Sequence, residues 1–137
     1  MTSQECKALV FCCSDFRLVE PIKNWLDEKH LASNYDLVSV SGGVSKLDSI
    51  KENFLVKQIE AAIAEHNISE VFLIAHNDCS AHGGRGSFDS SEAENDFYLL
   101  NLQKTKEKIN SLFPEIQVKN VLVKINPLGQ INFEENV

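Results

Sequence analysis

The chain has no apolar run long enough to span a bilayer, which argues against an integral membrane protein. It has no basic excess: 13 Lys and Arg stand against 20 Asp and Glu, a net charge of −7. That balance argues against general nucleic-acid binding, which needs a basic surface. The first residues, Met1-Thr-Ser-Gln-Glu-Cys6, lack the basic and apolar regions of a signal peptide, so a cytoplasmic location is expected. There are four cysteines but no Cys-x-x-Cys redox motif, and the adjacent Cys12 and Cys13 do not suit a disulfide framework. In a reducing compartment these are thiols or metal ligands. No repeat, linker or low-complexity tract divides the sequence, so residues 1–137 are expected to form one domain with one core.

What the sequence does contain is an alternation of strand and helix signals. Strand 1 is expected at about 7–12, followed by a helix on whose face Leu18, Val19, Ile22, Trp25 and Leu26 fall together. Strand 2 is Asp36 to Ser41, closed by Gly42-Gly43. A Ser45 to Asp48 capping signal opens a helix carrying Leu47, Ile50, Phe54, Ile59 and Ile63. Strand 3 is Val71 to Ala75. Ser91-x-x-Glu94 fits a helix start, Leu99, Leu102, Ile109 and Phe113 give its apolar stripe, and Pro114 ends it. Strand 4 is Val118 to Ile125, and 132–137 read as a loose tail whose Glu134 and Glu135 serve solubility. Nearly all-apolar strands separated by helices imply an α/β domain of three layers. Its sheet is expected to be mostly parallel, about four-stranded and flanked by helices.

In such sheets ligands bind beyond the carboxyl ends of the strands. Cys13-Ser-Asp15-Phe-Arg17 follows strand 1, Gly42-Gly43 follows strand 2, and His76-Asn-Asp-Cys79 follows strand 3. Two cysteines and a histidine make a soft donor set suited to a borderline ion such as zinc, and three protein ligands leave a fourth position open. Asp15 and Arg17 are spaced to control that position. Side chains alternate along a strand, so Cys12 points away from Cys13 and reads as a small core hydrophobe. Gly42 and Gly43 read mainly as a turn, His82 and Arg85 as part of a mobile polar loop, His30 and His66 as solvated, and Cys6 carries no functional signal.

With these motifs in this order and on these strands, the sequence resembles the β-class carbonic anhydrases over roughly residues 7–125, as a short, divergent member. That family carries Cys-x-Asp-x-Arg after its first core strand, His-x-x-Cys after a later one, and a small glycine-containing turn behind the metal. The resemblance implies that Cys13, His76 and Cys79 hold Zn2+. It implies that Asp15 either takes the fourth coordination position or pairs with Arg17 and leaves that position to water. A zinc-bound hydroxide would then convert carbon dioxide reversibly to bicarbonate, most readily at alkaline pH. Carbonyl sulfide and carbon disulfide are alternative substrates of the same chemistry. A homodimer or higher homo-oligomer is also implied. Strand 1 begins almost at once, without the family's preceding helical arm. Val40-Ser-Gly-Gly-Val44 lacks the Arg or Asn frequent before the glycines, and Ser80 stands where Gly often follows the cysteine.

Two other readings compete. In a non-catalytic zinc-binding protein of the same fold, Asp15 would permanently close a four-ligand site. Alternatively Cys79-Ser-Ala-His-Gly-Gly-Arg85 resembles the phosphate loop of cysteine-dependent tyrosine phosphatases, with Cys79 as nucleophile and Arg85 holding phosphoryl oxygens. Against the latter, Asp78 opposes a lowered thiol pKa, no helix starts at Arg85, and Cys13 to Arg17 are left unexplained.

Overall fold

A computed structural model describes residues 4–137. Five strands form one sheet in the order β2-β1-β3-β4-β5: β1 Ala8–Cys13, β2 Tyr35–Val40, β3 Glu70–His76, β4 Gln117–Ile125 and β5 Ile131–Glu135. The first four are parallel, and β5 returns antiparallel to β4. The helices are α1 Val19–Glu28, α2 Leu47–Ile50, α3 Phe54–His66 and α4 Ser91–Leu112. The three-layer α/β expectation holds, and the sheet has one strand more than expected.

The pleat divides the core. Leu9 and Phe11 of β1 face a cluster with Leu47, Ile59, Leu73 and Leu102, which places α3 and α4 on that side. Ala8, Val10 and Cys12 face Leu18, Ile22, Trp25 and Leu26, which places α1 on the other. Burial holds the Cys12 thiol protonated, with its pKa raised to about 11, as suits a core residue.

Two expectations are corrected, and the helix start at Ser91 holds with its cap one residue earlier. The C-terminal segment is not a loose tail. Asn126 Oδ1 accepts from Leu128 N and Gln130 N, Gly129 takes φ +80°, and the chain returns as β5, whose Phe133 stacks on Trp25 with ring centroids 5.2 Å apart. The helix after Gly43 is broken between α2 and α3: Lys51 is extended, Asn53 sits at φ +59°, and Asp48 Oδ1 accepts from Leu55 N at 3.2 Å. Such a side-chain bond offers the backbone an alternative to continuous helix. At α4 the capping residue is Ser90, which accepts from Ala93 N at 3.0 Å, while Glu94 turns inward and is buried.

Candidate metal centre

The carboxyl ends of β1 and β3 bring the two motifs together. Cys13 is the last residue of β1 and His76 the last of β3, so the side chains emerge where the strands stop. Cys13 Sγ and Cys79 Sγ are 4.0 Å apart, and both sulfurs lie with a ring nitrogen of His76 inside a 4.8 Å group. All three residues are buried. Gly42 and Gly43 do more than turn the chain. Gly43, at φ +58°, lies so close behind β1 that a Cβ there would stand 3.0 Å from the Cys13 backbone nitrogen.

The loop from His76 to Cys79 is built from polar contacts that no spacing argument reveals. Asn77 clamps the end of β4, donating from Nδ2 to Ile125 O at 3.2 Å and accepting from Ile125 N at 2.6 Å. Asp78 takes φ +53°, and its backbone N donates to the buried Glu94 Oε2 at 2.6 Å. These bonds turn the chain so that Cys79 comes back over Cys13. Asn77, Asp78 and Glu94 were absent from the expected site. The one sequence signal was an Asp in a short loop, a residue that tolerates the left-handed region.

The site fits a metal on three counts. His76 Nδ1 donates to Asn77 O at 2.7 Å, which leaves Nε2 as a lone-pair donor, and Nε2 is buried without a hydrogen-bond partner among the described residues. A metal-ligating histidine is held in that manner by its other nitrogen. Two thiolates on a tetrahedral zinc stand about 3.8 Å apart, because each bond is about 2.3 Å. The observed 4.0 Å therefore needs almost no adjustment. Finally, the bond between the two sulfurs is the main reason the Cys13 thiol titrates below its usual value, against the opposing effect of burial, and this shift favours a thiolate at this position.

Asp15 is engaged by Arg17. It accepts from Arg17 N at 2.9 Å, from Nε at 3.0 Å and from Nη2 at 2.7 Å. The guanidinium bonds, foremost, hold the carboxyl below its usual range. Asp15 Oδ2 nevertheless lies 4.0 Å from His76 Nε2, so the carboxylate edge borders the three donors. Arg17 is itself held on its far side, with Nη1 donating to Asp78 Oδ2 at 3.0 Å and Nη2 to Asp78 O at 2.9 Å. Asp78 also accepts from Arg85 N at 2.9 Å, and these bonds pull its pKa down to about 2. A cleft of about 490 Å³, lined by Cys13, Asp15, Phe16, Arg17, Ser41 and Cys79 among others, borders the two sulfurs.

The glycine-rich loop is anchored. His82 Nε2 lies 2.6 Å from Ser45 Oγ, and Arg85 Nη2 donates to Ile125 O at 2.8 Å. A phosphatase loop is not what these residues form. Arg85 faces Ile125 and Asp78, and Cys79 is buried with its thiol pushed upward by Cys13 and by burial. A phosphatase nucleophile needs the opposite shift.

The chain is similar to known proteins over nearly its whole length. A family model described as "Putative carbonic anhydrase" matches residues 3–131. An uncharacterized protein of Rickettsia conorii is 27% identical over 140 residues, covering 97% of this chain and 75% of that protein. An uncharacterized protein of Rickettsia bellii is 26% identical over 142 residues, covering 98% and 87%. Among solved structures, the β-carbonic anhydrase CafD of Aspergillus fumigatus superposes with a TM-score of 0.65 at 12% identity, covering 96% of this chain and 90% of that one. A tetrameric β-carbonic anhydrase of Sordaria macrospora gives 0.54 at 15% identity, covering 95% and 81%.

Proposed function

Since the chain belongs to the carbonic-anhydrase family which that model describes, with a β-carbonic-anhydrase-like fold, we propose that it is a zinc enzyme that hydrates carbon dioxide reversibly to bicarbonate. The observation that carries the proposal is the pairing of Asp15 with Arg17 beside three convergent soft donors. Cys13, Cys79 and His76 Nε2 would hold the metal, and three donors leave one position for a fourth partner. When bound, zinc would supply the positive charge that acidifies water near neutral pH.

The chain's own residues do the rest. Arg17 ties Asp15 down with three hydrogen bonds, two of them from the guanidinium, and so would keep the carboxylate off the fourth position of a bound metal. Bonds of this charged kind contribute about 1.5–3 kcal/mol each, which opposes a swing of the carboxylate onto the metal. Asp15 Oδ2 has lone-pair capacity left to orient a water at the cleft floor. Asp78 positions Arg17 from behind. An apolar groove of about 280 Å³ beside Cys13, lined by Leu18, Val19, Ile22 and Leu37 among others, suits a small uncharged substrate. Two anionic sulfurs offset part of the metal's charge, so activity is expected to rise toward alkaline pH. The tetrameric state of the Sordaria relative supports a self-associating chain here too.

The test is stopped-flow hydration of carbon dioxide by protein holding about one zinc per chain, beside a Cys13→Ser control. Catalysis above buffer that vanishes in the control is expected. Fully loaded but inactive protein would favour a non-catalytic zinc protein instead.

A further inference from the structure

At the opposite end of the sheet, unlike donors converge a second time. We propose that Cys6, Asp36 and His66 form a second, peripheral site for a borderline divalent transition-metal ion such as zinc. Cys6 Sγ, an Asp36 carboxylate oxygen and a His66 ring nitrogen all lie within 4.8 Å of one another. The three residues are half-buried, reachable by an ion from solvent yet held in place. Each comes from a different segment: the residues before β1, the start of β2 and the last turn of α3.

Main-chain bonds fix this meeting. Cys6 N donates to His66 O at 3.0 Å, and the next residue, Lys7, donates to Asn34 O at 3.1 Å. Asp36 is in register with Leu9 in the β1–β2 ladder. The end of α3 is closed by Asn67 at φ +51°, whose N donates to Ile63 O at 3.0 Å. Because no donor depends on a freely rotating loop, little ordering remains to be done on binding.

The donor chemistry selects the ion. Thiolate, imidazole and carboxylate are the three side chains zinc takes, whereas magnesium and calcium want oxygen alone. Two anionic donors match a divalent charge. His66 Nδ1 lies 2.7 Å from Asp36 Oδ2, so this histidine, expected to be solvated, is in fact paired. That partner raises the His66 pKa. Nitrogen and oxygen ligands of a tetrahedral zinc stand about 3.3 Å apart. If Nδ1 is the ligand atom, the pair opens by a few tenths of an ångström, and the metal takes the place of the shared proton. Cys6 precedes β1 and Cys13 ends it, seven residues apart and at most about 23 Å in extended chain, so this site is separate from the candidate centre.

The experiment reads Cys6 directly in the unaltered chain. Cys6 is the least buried of the four cysteines, and mass spectrometry reads its iodoacetamide label separately from any on Cys13. With free zinc at about ten times the dissociation constant, alkylation is expected to slow about tenfold, because only the unbound thiolate reacts. His66→Gln and Asp36→Asn should each abolish the protection, while Cys13→Ser should retain it. An unchanged alkylation rate in zinc overturns the proposal, as does protection that survives both His66→Gln and Asp36→Asn.

Discussion

Replacing Gly43 by alanine tests how the turn after β2 positions Cys13. Gly43 sits at φ +58°, where an L side chain pays about 1 kcal/mol or somewhat more. The new Cβ would also stand 3.0 Å from Cys13 N and 3.3 Å from the Cys12 carbonyl carbon, both backbone atoms of β1. Backbone cannot rotate away as a side chain can, so the end of the strand must shift. Overpacking of this kind costs a further 1–3 kcal/mol or so, giving roughly 2–4 kcal/mol in all. The shift falls on Cys13, a proposed metal ligand, so zinc affinity should drop by about 10–100-fold, as when a ligand's support is lost. Gly129 supplies the control: it has φ +80° but open space around its would-be Cβ, so Gly129→Ala should cost only the dihedral penalty and leave zinc affinity alone. Urea unfolding of the metal-free proteins gives the stabilities, and competition with a chromogenic chelator gives the affinities. Equal destabilisation by the two substitutions, with unchanged zinc affinity in Gly43→Ala, would refute the contact argument.

Other predictions follow from the same geometry. Arg17→Ala frees Asp15 from two guanidinium bonds, so carbon dioxide hydration should fall by about tenfold or more while zinc stoichiometry by atomic absorption stays unchanged. Asp15 and Asp78 both titrate below ordinary carboxylates in the folded chain, the latter at about 2. A depressed folded pKa contributes stability above the unfolded value that is lost as pH falls, so urea midpoints should decline between about pH 4 and 2, and less steeply in Asp78→Asn. Removing zinc with a chelator should lower thermal stability, by about 2.7 kcal/mol relative to protein held at a hundredfold excess over the dissociation constant. Calorimetry that finds no shift on chelation would contradict a native-state metal site.

The framework of the site was legible because its signals are local. Apolar runs end abruptly at Cys13 and His76, and parallel topology forces such ends onto one edge. The bonds that aim the donors were not legible, since Asp78 to Arg17 and Glu94 to Asp78 span 61 and 16 residues and have no period. β5 was missed because Ile131 and Phe133 alternate with polar residues over only five positions in an edge strand, too short a pattern to stand out. The break before α3 was hidden in Lys51-Glu52-Asn53, residues that a helix accepts, and was decided by Asp48 capturing Leu55 N. His82 and Arg85 looked mobile beside three glycines, yet Ser45 and Ile125 anchor them across the fold.

The central claim is a metal centre of two sulfurs and one imidazole with its fourth position free of Asp15. Zinc K-edge X-ray absorption on zinc-loaded Cys6→Ser protein, which lacks the peripheral site, repeated with Asp15→Asn added, tests it most directly. The account predicts two sulfur scatterers at about 2.3 Å and two light atoms at about 2.0–2.1 Å, with a spectrum unaltered by the substitution. A first shell lacking sulfur, or one that loses a light atom in Asp15→Asn, would contradict it.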